Sequence, residues 1–288
     1  MLSKSYLIAF LFCLAGNITL PNSAYSQYIL NGNATKESCN CYILTQPLEF
    51  QGGSVWQQSK INLTESFDFT FNVFLGYNDN GADGIAFMLQ PLSTSLGASG
   101  GGMGFDGVKP SLGVLLDTYQ NSEDNDPPYD HISIQVNGEI KHGNDLAGPI
   151  PASATSDNIE DGLWHTLRIS WNANTHTINT YFDGEFRLTA TKDLVKEIFN
   201  NSPMVYWGFT AATGGMYNLQ KFCTALNPSV NTSPTNGAVC LGTPISFIDN
   251  STSFTTIKNY SWDFGDGTTS TNASPSPHNY VNPGEYNL

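Results

Sequence analysis

Apolar residues recur in this chain with a period of two, and Gly, Asn and Pro interrupt them about every ten residues. Phe67-Asp68-Phe69-Thr70-Phe71-Asn72-Val73 alternates, as do His131-Ile132-Ser133-Ile134-Gln135-Val136 and Thr175-His176-Thr177-Ile178-Asn179-Thr180-Tyr181. Successive side chains of a strand point to opposite faces, so this pattern builds sheets with one face on a core. Ile85–Leu89 and Val114–Leu116 are instead continuously apolar and read as strands buried on both faces. Only Lys192–Asn200 spaces its apolar residues (Leu194, Val195, Ile198, Phe199) for a helix. The spacing predicts an all-β chain, a sandwich or jelly roll.

The polar residues narrow the function. Of 288 residues 25 are acidic and 11 basic, a formal charge of −14, so the clustered cations that bind nucleic acid are missing. Charged residues are 12% of the chain, about half of the usual ~25%, while 17 Phe, 13 Tyr and 5 Trp supply a core. Lys4, the apolar run Tyr6–Gly16 and Ala24-Tyr25-Ser26 read as a signal peptide over residues 1–26, which implies a secreted or cell-surface protein. No later segment reaches about 18 consecutive apolar residues, so membrane insertion is not expected. Cys13 leaves with the leader. The remaining Cys39, Cys41, Cys223 and Cys240 read as disulfides, with all three pairings open. A zinc site fits less well, because Cys39-Asn40-Cys41 lacks the two-residue gap and no His pair follows.

The first domain spans residues 27–226. The aperiodic Pro/Ser/Asn stretch 227–238 reads as a linker, and residues 239–288 form a second alternating region containing Ile245-Ser246-Phe247 and Tyr260-Ser261-Trp262-Asp263-Phe264. The chain stops at Leu288, just after Gly284-Glu285-Tyr286, where a further strand is expected, so a longer full-length protein is anticipated.

The densest polar cluster runs from Asp117 to His131. Asp117, Asn121 and Asp126 offer hard oxygen ligands on a bend between two strands, which suits calcium; a solvated acidic turn is the alternative. Gly102-Met103-Gly104-Phe105-Asp106-Gly107 matches a dinucleotide-binding pattern, but no βαβ unit surrounds it. His131, His142, His165, His176 and His278 show no zinc-protease spacing, and His165 and His176 read as ordinary strand residues.

The Asp117–His131 stretch resembles the metal-binding segment of legume-type lectins. The resemblance implies a calcium ion bound by Asp117, the Tyr119 carbonyl, Asn121 and Asp126, with Asp117, Asp126 and His131 also facing the family's second, transition-metal site, His131 being a ligand only if that site survives. That site holds a metal such as manganese, and Leu115 stands where the family has a Glu ligand, so it is expected to be weak or absent. Gly81-Ala82-Asp83-Gly84-Ile85-Ala86-Phe87 resembles the first sugar-binding loop, with a cis Ala–Asp peptide. Gly100-Gly101-Gly102-Met103-Gly104 resembles the second, with Gly102 as the N–H donor. Trp207-Gly208-Phe209-Thr210-Ala211-Ala212-Thr213-Gly214-Gly215 leads into the specificity loop, with Gly215 and Met216 at its tip. Gly52-Gly53-Ser54-Val55-Trp56 and Trp164-His165-Thr166-Leu167 also fit family strands. The implied fold is the concanavalin A-like jelly-roll sandwich. The implied sugar floor is Asp83, Gly102, Tyr119 and Asn121.

Tyr260–Gly267 (YSWDFGDG), His278-Asn279-Tyr280 and Pro283-Gly284-Glu285-Tyr286 resemble a PKD-type domain, an immunoglobulin-like sandwich used as a spacer. The expectation is a non-catalytic, calcium-dependent lectin module of an adhesin-like protein. Its partners are glycans or polysaccharides, reached through an oligomer or a multidomain chain. Two alternatives are a structural adhesive protein with a vestigial sugar site and a glycoside hydrolase on the same sandwich. The hydrolase needs two carboxylates on one face, and Glu65/Asp68 are at an odd offset.

Overall fold

The computed structural model describes residues 28–38, 40–97, 102–224, 226–227, 230–234, 239–253, 260–284 and 286. The leader, Cys39, Gly100 and Gly101 lie outside the described residues. Fifteen strands build the first unit: β1 (Tyr28–Gly32), β2 (Thr35–Lys36), β3 (Cys41–Thr45), β4 (Gly52–Gln57), β5 (Ile61–Asn62), β6 (Phe67–Phe74), β7 (Gly84–Gln90), β8 (Leu112–Asp117), β9 (His131–Val136), β10 (Ala147–Pro151), β11 (His165–Asn172), β12 (Thr177–Phe182), β13 (Glu185–Thr191), β14 (Met204–Ala212) and β15 (Gln220–Thr224). One sheet runs β1-β4-β14-β7-β8-β9-β10, with β5 also paired to β14; the other runs β13-β12-β11-β6-β15-β3-β2.

Alternate residues of both sheets meet in one core. The first sheet contributes Val55, Ile85, Phe87, Val114, Ile132 and Phe209; the second contributes Tyr42, Phe71, Leu167, Ile169, Ile178 and Phe222. The two sheets therefore form a sandwich, as the period-two pattern predicts. The apolar runs of β7 and β8 also have a physical cause. Their remaining residues, Ala86, Met88 and Leu115, pack on the opposite face of the first sheet beneath Trp56, Met103 and Phe105. β9 differs from its half-buried expectation: Ile132 and Ile134 enter the main core, yet His131, Ser133 and Gln135 on the other face are buried too. The segment after β9 folds back over that face, where Gln135 Nε2 donates to the Ile140 carbonyl at 3.1 Å.

Cys41 and Cys223 stand directly opposite in β3 and β15 and form a disulfide, whereas the second bridge expected of Cys240 is not formed among the described residues. Cys240 is exposed and unbonded among the described residues. The helical spacing at 192–200 becomes a single π-helical turn, Leu194–Ile198, whose cap Asp193 accepts from the Lys196 N–H at 3.0 Å. Asn200 and Asn201, both at positive φ, close it.

The second unit, taken by itself, starts at Leu226. β16 (Leu226–Asn227) pairs with β19 (Thr252–Ser253), β17 (Val230–Ser233) with β18 (Ser246–Asp249), and β20 (Trp262–Asp263) with β21 (Thr269–Ser270). β17 lies inside the stretch read as a linker. Its Val-Asn-Thr-Ser sequence carries too little apolar signal to read as a strand, and pairing with β18 makes it one. Ile245, Phe247, Trp262, Phe264 and Tyr280 form the small core. The Asp-rich turn after β20 is structural: Asp263 accepts from the Gly265 N–H, and Asp266 accepts from Thr268 and faces His278 at 2.7 Å. Among the described residues no helix is long and apolar enough to cross a membrane.

Candidate functional site

Strand register brings the motif residues together. β14, β7, β8 and β9 are antiparallel neighbours, and Ala212 faces Gly84, Gly84 faces Asp117, and Asp117 faces His131. Three loops far apart in sequence therefore leave the sheet at one edge. Gly84 is required there: it has φ +131°, and a Cβ would collide with the Leu116 carbonyl of β8.

Asp83 sits in the middle of this edge. The Ala82–Asp83 peptide is cis. The Asp83 N–H donates to the Ala212 carbonyl at 3.0 Å, and its own carbonyl accepts from Thr118 at 3.2 Å. Gln220 Nε2 donates to the Ala82 and Ala212 carbonyls at 2.8 and 3.1 Å, tying the loop to β14. Asp83 Oδ2 is buried without a hydrogen-bond partner, and burial pushes the carboxyl up to about 6. A Cβ on Gly214 would lie 3.8 Å from that oxygen, so the loop after β14 passes beside Asp83, with Gly215 and Met216 exposed at its tip. The loop is held from below by Thr213, whose hydroxyl donates to the Leu48 carbonyl at 2.7 Å, and by the Phe50 N–H on the Gly214 carbonyl. Gly102 opens a turn in which its carbonyl accepts from Phe105 and Asp106. The next residue, Met103, lies against Gly84 and accepts from Thr210 at 2.6 Å.

The loop from Asp117 to His131 closes on itself. Asp117 Oδ1 accepts from the Tyr119 N–H at 3.0 Å, and Asp126 Oδ2 accepts from the Asn121 N–H at 2.7 Å. A 3₁₀ turn, Ser122–Asp124, follows Asn121, whose side chain makes no capping bond. Tyr119 is 36% exposed, enough to offer its ring to solvent. Asp117 and Asp126 are both buried. Desolvation and then the Asp126 charge hold the Asp117 carboxyl well above the usual range, and desolvation raises Asp126 as well. Asp130 accepts from the Ile159 N–H at 2.7 Å and rises to about 6 through burial.

Among the described residues no Lys or Arg pairs with Asp83, Asp117, Asp126, Asp130 or Glu160. Buried carboxylates without cationic partners are costly. Two carboxylates, a free amide side chain and a main-chain carbonyl are the donor set of a hard dication, so the residues expected to hold calcium fit it chemically.

His131 is buried, and desolvation lowers it to about 4. Its Nε2 lies 4.0 Å from Asp117 Oδ2 and 2.8 Å from His142 Nε2. His142, passed over in the sequence for want of a recognised spacing, lies 3.5 Å from Asp126 Oδ1 and joins Asp126 and His131 in one buried cluster. Leu115, on the same face as Asp117, packs against the apolar cluster around Trp56. Sequence reasoning also missed Glu160, whose carboxylate meets Asn218 beneath the Asp83 loop. Desolvation first and the Asp130 charge second push it up to about 8. Asp68, half of the odd-offset carboxylate pair, forms a two-point ion pair with Arg168 across β6 and β11, at 2.8 and 2.6 Å.

A family model described as the legume lectin β-barrel domain matches residues 20–226, and a PKD domain model matches residues 226–288. The chain is 28% identical over 243 residues to the pesticidal crystal protein Cry22Aa of Bacillus thuringiensis, covering 75% of this chain and 34% of that protein. It is 28% identical over 233 residues to the serine-rich adhesin for platelets of Staphylococcus aureus strain MSSA476, covering 72% of this chain and 10% of that protein. The chain thus spans about a third and a tenth of these relatives. Among solved structures, lectin I-B4 from Griffonia simplicifolia in its metal-free form superposes with a TM-score of 0.58 at 23% identity, covering 72% of this chain and 94% of that one. Lectin II from Ulex europaeus gives 0.57 at 21%, with coverage of 72% and 94%. The sheet order, the register that gathers the loops and the family match over residues 20–226 agree: the chain belongs to the legume-type lectin family, its lectin domain followed by a PKD domain.

Proposed function

We propose that the lectin unit is a calcium-dependent, non-catalytic carbohydrate-binding module of a secreted or surface-displayed, adhesin-like protein. The observation that carries this reading is Asp83, whose buried oxygen has no partner in the fold and lies beside the Gly214–Met216 loop. A sugar offers neighbouring hydroxyls, each both donor and acceptor. The Asp83 carboxylate accepts two of them, Asn121 donates from its amide, and the Gly102 N–H donates where no side chain blocks approach. Tyr119 offers its ring to the apolar face of the sugar, and Gly215 and Met216 tune preference from the loop tip. Calcium, when bound through Asp117, the Tyr119 carbonyl, Asn121 and Asp126, supplies fixed positive charge that orders this floor before the sugar arrives. A single shallow site of this kind holds a monosaccharide at about millimolar Kd, about −4 kcal/mol, so repetition on a cell surface or in an oligomer strengthens attachment. The relatives named as an adhesin and a crystal protein, and the leader read at residues 1–26, support an extracellular setting.

The test is calorimetric titration with Ca²⁺, then glycan-array binding with calcium and with EDTA, on the wild type, Asp83→Asn and Asn121→Ala. The expected result is calcium-dependent glycan signal in the wild type, lost in Asp83→Asn while its calcium heat persists. Glycan signal unchanged by either substitution would sink the assignment. Leu115 favours a second reading, a structural adhesive module with a vestigial sugar site, for which calcium heat without any glycan signal is the expected outcome.

A further inference from the structure

The two imidazoles at the edge of β9 are held in a way that ordinary packing does not explain. His142 Nδ1 lies 2.6 Å from Asp145 Oδ1. A carboxylate only accepts, so Nδ1 carries the hydrogen and Nε2 is left with its lone pair. His131 Nδ1 lies 3.3 Å from the Tyr129 carbonyl, which also only accepts, so its Nε2 bears a lone pair as well. These two lone-pair nitrogens face one another at 2.8 Å, with Asp126 Oδ1 at 3.5 Å from His142 Nε2. These two nitrogens and Asp126 Oδ1 converge on one buried point, an arrangement satisfied either by a proton shared between the rings or by a bound cation.

Two nitrogens bound at about 2.0–2.1 Å in a tetrahedral site stand about 3.3 Å apart, so a bound ion spreads the 2.8 Å pair by about half an ångström. The outer partners suit a metal: a metal-bound His ordinarily donates its second N–H to a carboxylate or a main-chain carbonyl, here Asp145 and Tyr129. The cluster is buried and built from several elements. His142 is pinned by its N–H on the Asp124 carbonyl at 2.8 Å and by Asn125 Nδ2 on its own carbonyl at 3.1 Å. The Asp145 side chain is 4% exposed and is further fixed by the Gly143 N–H at 2.9 Å.

We propose that Asp126, His131 and His142 form a nitrogen-rich metal site that takes zinc-class ions, Zn²⁺ or Co²⁺, in preference to Mn²⁺. Leu115 removes a carboxylate from this face and His142 brings an imidazole over it, so the donor set changes from oxygen-rich to nitrogen-rich. Imidazole favours zinc and its neighbours, whereas carboxylate-rich sets suit manganese. The inference goes beyond the sugar reading and does not depend on a glycan binding.

The test uses the full chain, stripped with EDTA and then saturated with Ca²⁺ so that oxygen-rich sites are filled. Co²⁺ is added and its visible ligand-field absorption followed, with Zn²⁺ and Mn²⁺ as competitors. One equivalent of Co²⁺ is expected to give a spectrum distinct from the aquo ion, displaced by Zn²⁺ and not by equal Mn²⁺. Asp145→Asn is expected to weaken Co²⁺ binding about 10–100-fold by loosening the imidazole it orients, and His142→Asn at least as much. If His142→Asn melts early, Asp145→Asn decides, since it keeps all three ligands. Wild-type protein showing only aquo-ion absorption would mean the imidazoles share a proton and would overturn the proposal. So would unchanged Co²⁺ affinity in Asp145→Asn, or displacement by Mn²⁺ equal to that by Zn²⁺. The spectrum is read without any sugar, so loss of glycan binding leaves this result standing.

Discussion

Single residues decide what the loop edge can bind. Asp117, Tyr119, Asn121, Asp126 and His131 are legible as a set because they lie within one loop and their spacing is local. His142 is not, because its approach to His131 depends on how the segment after β9 folds back over the sheet. Glu160 is invisible for the same reason: an exposed-looking acid in a polar stretch becomes buried against Asn218. Its titration has a measurable consequence. In the fold Glu160 keeps its proton up to about pH 8, whereas the unfolded chain releases it near the ordinary 4.5. Between those values the folded state binds the extra proton, so stability is full below the lower value and falls as pH rises through the window. Glu160→Gln, which resembles the protonated acid, is expected to melt later than the wild type in EDTA above about pH 8 and at the same temperature below about pH 4. Parallel melting curves across that range would show that Glu160 ionises freely in the fold.

At the scale of elements, register does the assembling. The alternation that marks each strand says which face is apolar but not which strand lies beside it. The row Ala212, Gly84, Asp117 and His131 exists only because β14, β7, β8 and β9 pair in that order. The same holds for Cys41 and Cys223, whose pairing follows from β3 lying beside β15. This bridge closes a separation of 182 residues, so it strongly restricts the unfolded chain. Replacing both cysteines with serine is expected to cost about 2–5 kcal/mol in denaturant unfolding of the oxidised protein. A loss near zero would mean that strand pairing alone holds β3 to β15.

For the molecule as a whole, metal and fold are coupled. The lectin unit buries Asp117 and Asp126 with no Lys or Arg partner among the described residues, and a dication bound between them relieves that charge only in the folded state. Excess calcium is therefore expected to raise the melting midpoint of the lectin transition. A concentration about 100 times Kd contributes about 2.7 kcal/mol, or about 5–10 °C for a unit of this size. The PKD transition is expected not to move, because its Asp263 and Asp266 are satisfied by Gly265, Thr268 and His278. Scanning calorimetry with calcium and with EDTA checks this, and equal shifts in both transitions would contradict it.

Strand periodicity and loop motifs are local, so the all-β class, the two family domains and the loops that meet at the candidate site were legible from the residues alone. The Cys41–Cys223 pairing, the strand β17 within the stretch read as a linker, the burial of both faces of β9 and the arrival of His142 beside His131 emerge only in the folded chain. Each of these is a contact between segments whose mutual approach is set by sheet order and by what packs over the sheet, and neither is written in the residues on one side of the contact.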